Sequence, residues 1–153
     1  MAEYETAIFA ALLTKAEADT GAGGLFETSG TNRLIGGFIL SSWREKERHV
    51  PRIEVDPPES GRIDSHDTEN TEAVWRFHVI CQRNRAYGTG DTPQTSGQMD
   101  GIVGRVEAVF DAATISPSGW TSGVVSCDRH YRGPETPEYA HRIVEMVIRA
   151  SRS

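Results

Sequence analysis

The chain has 153 residues, of which 37% are hydrophobic, and it carries a formal net charge of −6 at pH 7. A single domain of this length buries roughly 68–70% of the surface that its unfolded chain exposes, so it needs no disulfide or metal to fold. The negative charge argues against a nucleic-acid clamp, which requires a positive surface to release counterions. The sequence also lacks a basic, apolar leader and any apolar run near 18 residues, so we expect neither secretion nor a membrane partner.

The first predicted element is a helix over residues 4–19. This segment is rich in alanine and leucine, lacks glycine and proline, and places Tyr4, Ile8 and Leu12 on one side. The glycine-rich run at 21–24 is expected to end the helix.

Two short strands should follow, at 33–43 and at 52–56, before a prolonged polar segment. The first contains a glycine pair that suggests a bulge or bend, and the second alternates apolar and polar residues up to Pro57. Residues 57–72 contain almost no apolar side chains, so we predict a long exposed loop there.

This loop holds the chain's main group of candidate metal ligands, in the motif DSHD at 64–67 with Glu69 and Glu72 nearby. Carboxylates and His66 could bind a hard cation. The spacing differs from that of a calcium-binding helix–loop–helix, however, and no second histidine follows at i+4. We therefore favour a solvated acidic loop and predict no metal and no cofactor.

The clearest strand spans 73–83. Its residues Trp75, Phe77 and Val79 alternate with Arg76 and His78, the period of a strand with one buried and one wet face. We predict that the wet face and the following residues form a subunit interface, made by Arg76, His78, Gln82, Arg83, Arg85 and Tyr87.

A second long loop is predicted at 84–97, followed by the main helix at 97–113. The helix shows an apolar stripe with helical spacing that includes Val103, Val106 and Phe110. Together with Trp75, Phe77 and Val79, these three residues make up the predicted core.

The segment 120–133 is predicted to be a strand. Its Cys127, Asp128 and His130 could suggest a thiol catalyst, but strand alternation should turn Cys127 away from His130, so we predict no catalytic residues. Cys127 and Cys81 both lie among apolar residues, which favours free buried thiols over a disulfide.

The last segment, 139–150, is compatible with two structures. Thr136 and Pro137 look like a helix start, and several apolar residues have helical spacing. The segment is also rich in β-branched residues, which favours a strand. The residues themselves leave the choice open.

These elements predict one domain over 1–153 with an α+β fold. We expect a small, mostly antiparallel sheet of four or five strands, with the two helices packed on one face.

Three stretches together resemble the tail-terminator, or tail-completion, proteins of tailed bacteriophages. They are IFAALLTKAEADTGAGGLFE near the start, WRFHVICQR followed by GIVGRVEAVFDAA, and SCDRHYRGPETPEYAHRIVEMVIRAS at the end. In that family a charged, loop-separated pair of strands closes the chain, so the resemblance favours a strand at 139–150.

The resemblance implies a structural virion protein, made in the host cytoplasm, and not an enzyme. Such proteins form a homo-oligomeric ring, commonly a hexamer, that caps the tail tube and joins it to the neck proteins of the head–tail connector. Genome DNA would pass through the channel without sequence-specific binding.

Three alternatives remain at this point. One is a connector protein on the head side of the same joint. Another, from a different class, is a small metal-dependent hydrolase or ligand-binding domain that uses the acidic residues of 64–72. A nucleic-acid binder using Arg83 and Arg85 is disfavoured by the overall charge.

Overall fold

In the computed structural model, the described part of the chain consists of residues 3–28, 34–40, 51–58, 65–66, 70–82, 86–87, 92–93, 96–137 and 139–152.

Two helices are present, α1 at Glu3–Glu17 and α2 at Ser96–Phe110. Both predicted helices are confirmed, but each ends earlier than expected. α2 stops because Ala112 adopts a left-handed φ of 58°, after which the chain re-enters the sheet. Residue 113, predicted to be helical, therefore begins a strand.

The strands are, in chain order, β1 (Gly37–Leu40), β2 (Arg52–Asp56), β3 (Ser65–His66), β4 (Asn70–Gln82), β5 (Ala86–Tyr87), β6 (Thr92–Pro93), β7 (Ala113–Ile115), β8 (Ser122–Arg132) and β9 (Tyr139–Ser151).

The main sheet follows the order β1-β2-β4-β9-β8-β7, and β3 extends it by pairing with one end of β4. β1 and β2 run parallel, whereas every other pair in this sheet is antiparallel. The α+β class is thus confirmed. The predicted four or five strands were too few, since the main path has six and the sheet is mixed.

The segment that the residues left undecided, 139–150, is a strand. β9 pairs with β4 over 13 consecutive residues and with β8 on its other side, so it lies in the middle of the sheet. Its even-numbered residues from Val144 to Ala150 are buried, and the β-branched composition fits this position.

The two predicted loops are partly wrong. Of the predicted loop 57–72, residues 65–66 form β3 and residues 70–72 belong to β4, whereas 59–64 and 67–69 lie outside the described residues. Within 84–97, β5 and β6 pair with each other as a small two-stranded sheet, and α2 already begins at Ser96. In both cases pairing with a neighbouring strand, which composition does not reveal, overrides polar local sequence.

The core lies between the helices and one face of the sheet. The predicted core residues are confirmed, since Trp75, Phe77, Val79, Val103, Val106 and Phe110 are all buried. At its centre Phe110 meets Phe77 edge to face at 5.1 Å between ring centroids and stacks on Phe38 at 6.0 Å.

The sheet curls around α1. This helix contacts both β1 and β7, which are the two ends of the strand order. The face that carries the helices is therefore concave, and on the opposite, convex face the central strands β4 and β9 stand furthest out.

Candidate functional site

The sheet has one face that none of the described helices covers, referred to below as the helix-free face. In β4 the odd-numbered residues from Ala73 to Cys81 point into the core, so the even-numbered residues point to the helix-free face. Arg76 and His78, two of the predicted interface residues, lie here. The strand registers place side chains from β2, β9 and β8 beside them.

Glu145 of β9 is the centre of a charged group on this face. Its carboxylate accepts hydrogen bonds from Arg76 Nε at 3.0 Å, Arg129 Nε at 2.6 Å and Tyr131 Oη at 3.0 Å. These partners leave Glu145 only 4% exposed. Burial acts to raise the pKa of Glu145, but the hydrogen bonds from Arg129, Arg76 and Tyr131 outweigh it, so this pKa is lowered.

The row of charged side chains extends across β4 to its other neighbour, β2. Asp56 is paired in register with Arg76, Arg76 with Glu145, and Glu145 with Arg129. One row across four strands thus alternates acidic, basic, acidic and basic side chains. Four residues along the strands, a second row contains Glu72 and Arg149, which form an ion pair.

Two histidines lie beside this group. His141 Nδ1 lies 3.1 Å from the carbonyl oxygen of Pro134, which can only accept, so this nitrogen carries a proton. The other nitrogen of the neutral ring, Nε2, then accepts a hydrogen bond from His78 Nδ1 at 2.9 Å. His78 Nε2 lies 3.8 Å from Asp56.

The environment of His141 disfavours its charged form. Burial is the main cause that lowers its pKa, and the nearby His78 lowers it further, against opposing contributions from Pro134, Glu54 and Glu135. Gly133 packs so closely on the ring that a Cβ at this residue would lie 2.7 Å from it. The fold therefore favours the neutral form of His141, whose Nε2 accepts the hydrogen bond from His78.

The cysteines do not have the properties of a nucleophile. Burial raises the pKa of Cys81 to about 12, and burial with the charges of Asp111 and Glu107 raises that of Cys127 to about 12. Thiols of such high pKa carry almost no thiolate at neutral pH.

The predicted orientation of His130 was wrong. A register shift between Cys127 and Arg129 places His130 on the same side of the sheet as Cys127, because a bulge interrupts the alternation. His130 Nδ1 is nevertheless bonded to Glu107 of α2, at 2.7 Å.

The structure describes only part of the acidic motif at 64–72. Asp64, Asp67 and Glu69 lie outside the described residues, His66 belongs to β3, and Glu72 is paired with Arg149. Within the described ranges no three histidine, cysteine or acidic side chains are placed to share a metal ion.

Four predicted interface residues remain, and the structure describes two of them. The backbone of Gln82 ends β4, where it pairs with Tyr139, and Tyr87 lies in β5. Arg83 and Arg85 lie outside the described residues.

A groove of about 340 Å³ lies elsewhere, between α1 and residues 114–118. It is lined by alanine, serine, threonine and isoleucine, with Lys15 as its one charged group.

The sequence analysis did not identify three charged residues of the helix-free face, namely Arg129 of β8 and Glu145 and Arg149 of β9. The undecided structure of 139–150 hid them. Once a strand is assumed, the buried alternation from Val144 to Ala150 assigns Glu145 and Arg149 to the opposite face, where they can meet the charged residues of β4.

None of the helices in the described part of the chain is long and apolar enough to cross a membrane. No protein-family model matches the chain, and no similar sequence is found among curated proteins.

Proposed function

We propose that this chain is a structural protein of a tailed bacteriophage, the tail-terminator ring that caps the tail tube and joins it to the neck. The proposal starts from the resemblance of the three sequence stretches described above. The structural observation that carries it is the presence of two different strand edges, at opposite ends of the sheet, that pair with no described strand.

The first edge is the outer side of β1. Gly36 N donates to Pro51 O at 2.7 Å, so Gly36 points towards β2. Because backbone groups alternate along a strand, the N–H and C=O of Ile39 point away from β2. These groups are oriented to bind a strand from another chain.

The second edge belongs to β8. β7 pairs only with residues 123–125 of this strand, whereas β8 continues to Arg132. The outer side of 128–132 has no strand beside it within the described residues. Since the two edges differ, joining β1 of one subunit to β8 of the next is a head-to-tail contact, which closes into a ring when its rotation permits.

The charge also supports this function. A channel that lets DNA slide through must not retain phosphate groups, and a chain of net charge −6 repels them. The partners of the ring would be the tail tube protein on one side and the neck proteins on the other.

We would test the ring by native mass spectrometry over a range of concentrations, with and without tail tubes of the phage that encodes the chain. Replacing Ile39 by proline removes an outward N–H while leaving the hydrogen bonds to β2 intact. For the unmodified protein we expect closed rings, of the hexameric kind that the resemblance implies, and far fewer closed rings for Ile39→Pro.

Ile39→Thr is the matched control, because it keeps the N–H and a β-branched side chain. It should form rings like the unmodified protein. A chain that forms no ring alone or with tail tubes, or an Ile39→Pro variant that assembles normally, would refute the proposed contact.

A further inference from the structure

We propose that the helix-free face binds a second copy of this chain, face to face, about a two-fold axis that runs along the strands between β4 and β9. The argument rests on the order of charges across the face. It does not depend on the proposed function, because this contact uses the face of the sheet and not its edges.

The first step is the row of four charged residues. Across β2, β4, β9 and β8 the signs alternate, from Asp56 through Arg76 and Glu145 to Arg129. Three of them remain accessible, since the side chains of Asp56, Arg76 and Arg129 are 45%, 40% and 67% exposed.

A two-fold axis along the strands reverses this row in the second copy. Asp56 then faces Arg129 of the second copy, and Arg76 faces its Glu145; each contact occurs twice by symmetry. Because the row has an even number of alternating charges, every position meets the opposite sign. Packed sheets lie about 10 Å apart, so the central strands β4 and β9 of the two copies come within reach of arginine and glutamate side chains, whereas the outer strands β2 and β8 are set further apart by the curvature.

The two-fold axis also brings opposite charges together in the second row. Glu72 and Arg149 are paired in register, so the axis places Glu72 opposite the second copy's Arg149. Between the two rows Val74 and Val147 face each other across the strands and are only half-buried. Val124, also on this face, is 40% exposed. The contact thus has an apolar strip between two charged rows, as protein interfaces commonly do.

The net charge of the chain also favours the helix-free face over other surfaces as the site of contact. The helix-free faces of β2, β4, β9 and β8 hold four arginines and four acidic residues, so they are neutral. The remaining 12 basic and 18 acidic residues carry the entire charge of −6. Two copies therefore repel each other least when they approach through the helix-free face.

An axis across the strands is less favourable. It would place the first row against the second, so that Arg129 would face Val124 and Asp56 would face β3. Only Arg76 with Glu72, and Glu145 with Arg149, would then meet opposite charges. The convex shape also favours the axis along the strands, since β4 and β9 stand furthest out over their whole paired length.

Charge reversal tests this geometry by sedimentation velocity of the full chain. Glu72→Arg and Arg149→Glu, made separately, each place like charges opposite one another. We expect each variant to dissociate into monomers, with a dimer dissociation constant raised at least ~10-fold. An equimolar mixture of the two variants should form dimers again, because the opposite signs are then restored between chains.

The double variant E72R/R149E is the control for folding. It keeps the ion pair within the chain and the complementary signs between chains, so it should dimerise like the unmodified protein even if the single variants fold poorly. An unmodified chain that stays monomeric at the highest attainable concentration, single variants that dimerise normally, or a mixture or double variant that fails to dimerise would overturn the proposal.

The contact is distinguishable from ring closure. It joins two chains and then is complete, whereas the head-to-tail contact gives about six. Ile39→Pro should therefore leave the dimer intact, and Glu72→Arg should leave the ring intact.

Discussion

Glu145 shows how a carboxylate is kept charged while it is nearly removed from water. Its two arginines and Tyr131 supply the hydrogen bonds that burial takes away, and they hold its pKa below the usual range. A group with a lowered pKa in the folded state stabilises the fold above its unfolded pKa, near 4.3 for glutamate, and this contribution is lost as the pH falls through the folded pKa.

We therefore expect Glu145→Gln to lower the free energy of unfolding by about 1–3 kcal/mol at pH 7. The difference from the unmodified protein should start to shrink as the pH falls below about 4.3, where the unfolded chain takes up a proton at Glu145, and should disappear only below the lowered pKa of the folded state. Urea denaturation at several pH values measures both effects. Glu17→Gln, an exposed change of the same charge, should have little effect at any pH. An equal loss in the two variants would contradict the assigned role.

His141 gives a second, separate pH dependence. Its pKa is lowered in the fold, chiefly by burial, so the unfolded chain takes up a proton first as the pH falls below about 6.5. Stability must then fall between neutral pH and the folded pKa, because the unfolded state binds more protons. Once His141 Nε2 carries a proton, it no longer accepts the hydrogen bond from His78.

Thermal unfolding at pH 7.5 and at pH 5 (about one unit or more on either side of the unfolded pKa) would measure this effect. We expect the melting temperature of the unmodified chain to be lower at the acid pH, and His141→Asn to show a smaller decrease. His130→Asn, a change at an exposed histidine, should keep the full decrease. If His141→Asn retained the full pH dependence, the effect would come from other groups.

At the scale of elements, Phe110 is one of the buried residues that fix α2 to the sheet. This residue is fully buried and contacts Phe77 and Phe38 at the centre of the core. We expect Phe110→Ala to lower the free energy of unfolding by about 3–5 kcal/mol. The neighbouring Val109→Ala, at a half-buried site, should lower it by about 1 kcal/mol. Comparable losses in the two variants would mean that the ring contacts contribute little.

The elements also show what the sequence could predict. The apolar stripe of α2 and the alternation around Trp75 and Phe77 are local periodic signals, and both elements and their buried residues were predicted correctly. β3 and the start of β4 were missed, because polar residues there are held in strands by pairing, β3 with β4 and the start of β4 also with the distant β9. The ion pair between Glu145 and Arg76 could not be predicted either, because the two residues lie 69 positions apart in the sequence.

For the whole molecule, the two proposed contacts use different parts of one curled sheet. Edges in the plane of the sheet join subunits head to tail, and the convex helix-free face joins two chains symmetrically. The negative charge that should keep DNA from adhering is carried outside that neutral face. Arg129 lies in both contacts, but the edge contact uses its backbone and the face contact its side chain, so both contacts can form together.

The central position of β9 has a consequence for synthesis. Asn70 bonds to Ser151, 81 positions later, so the middle of the sheet cannot close until nearly all of the described chain has left the ribosome. Contacts this distant in sequence slow folding, because a long loop must be ordered before they form. Until then the edge of β4 that pairs with β9 is uncovered. The nascent chain is thus most prone to aggregation in the interval between the emergence of β4 and that of β9.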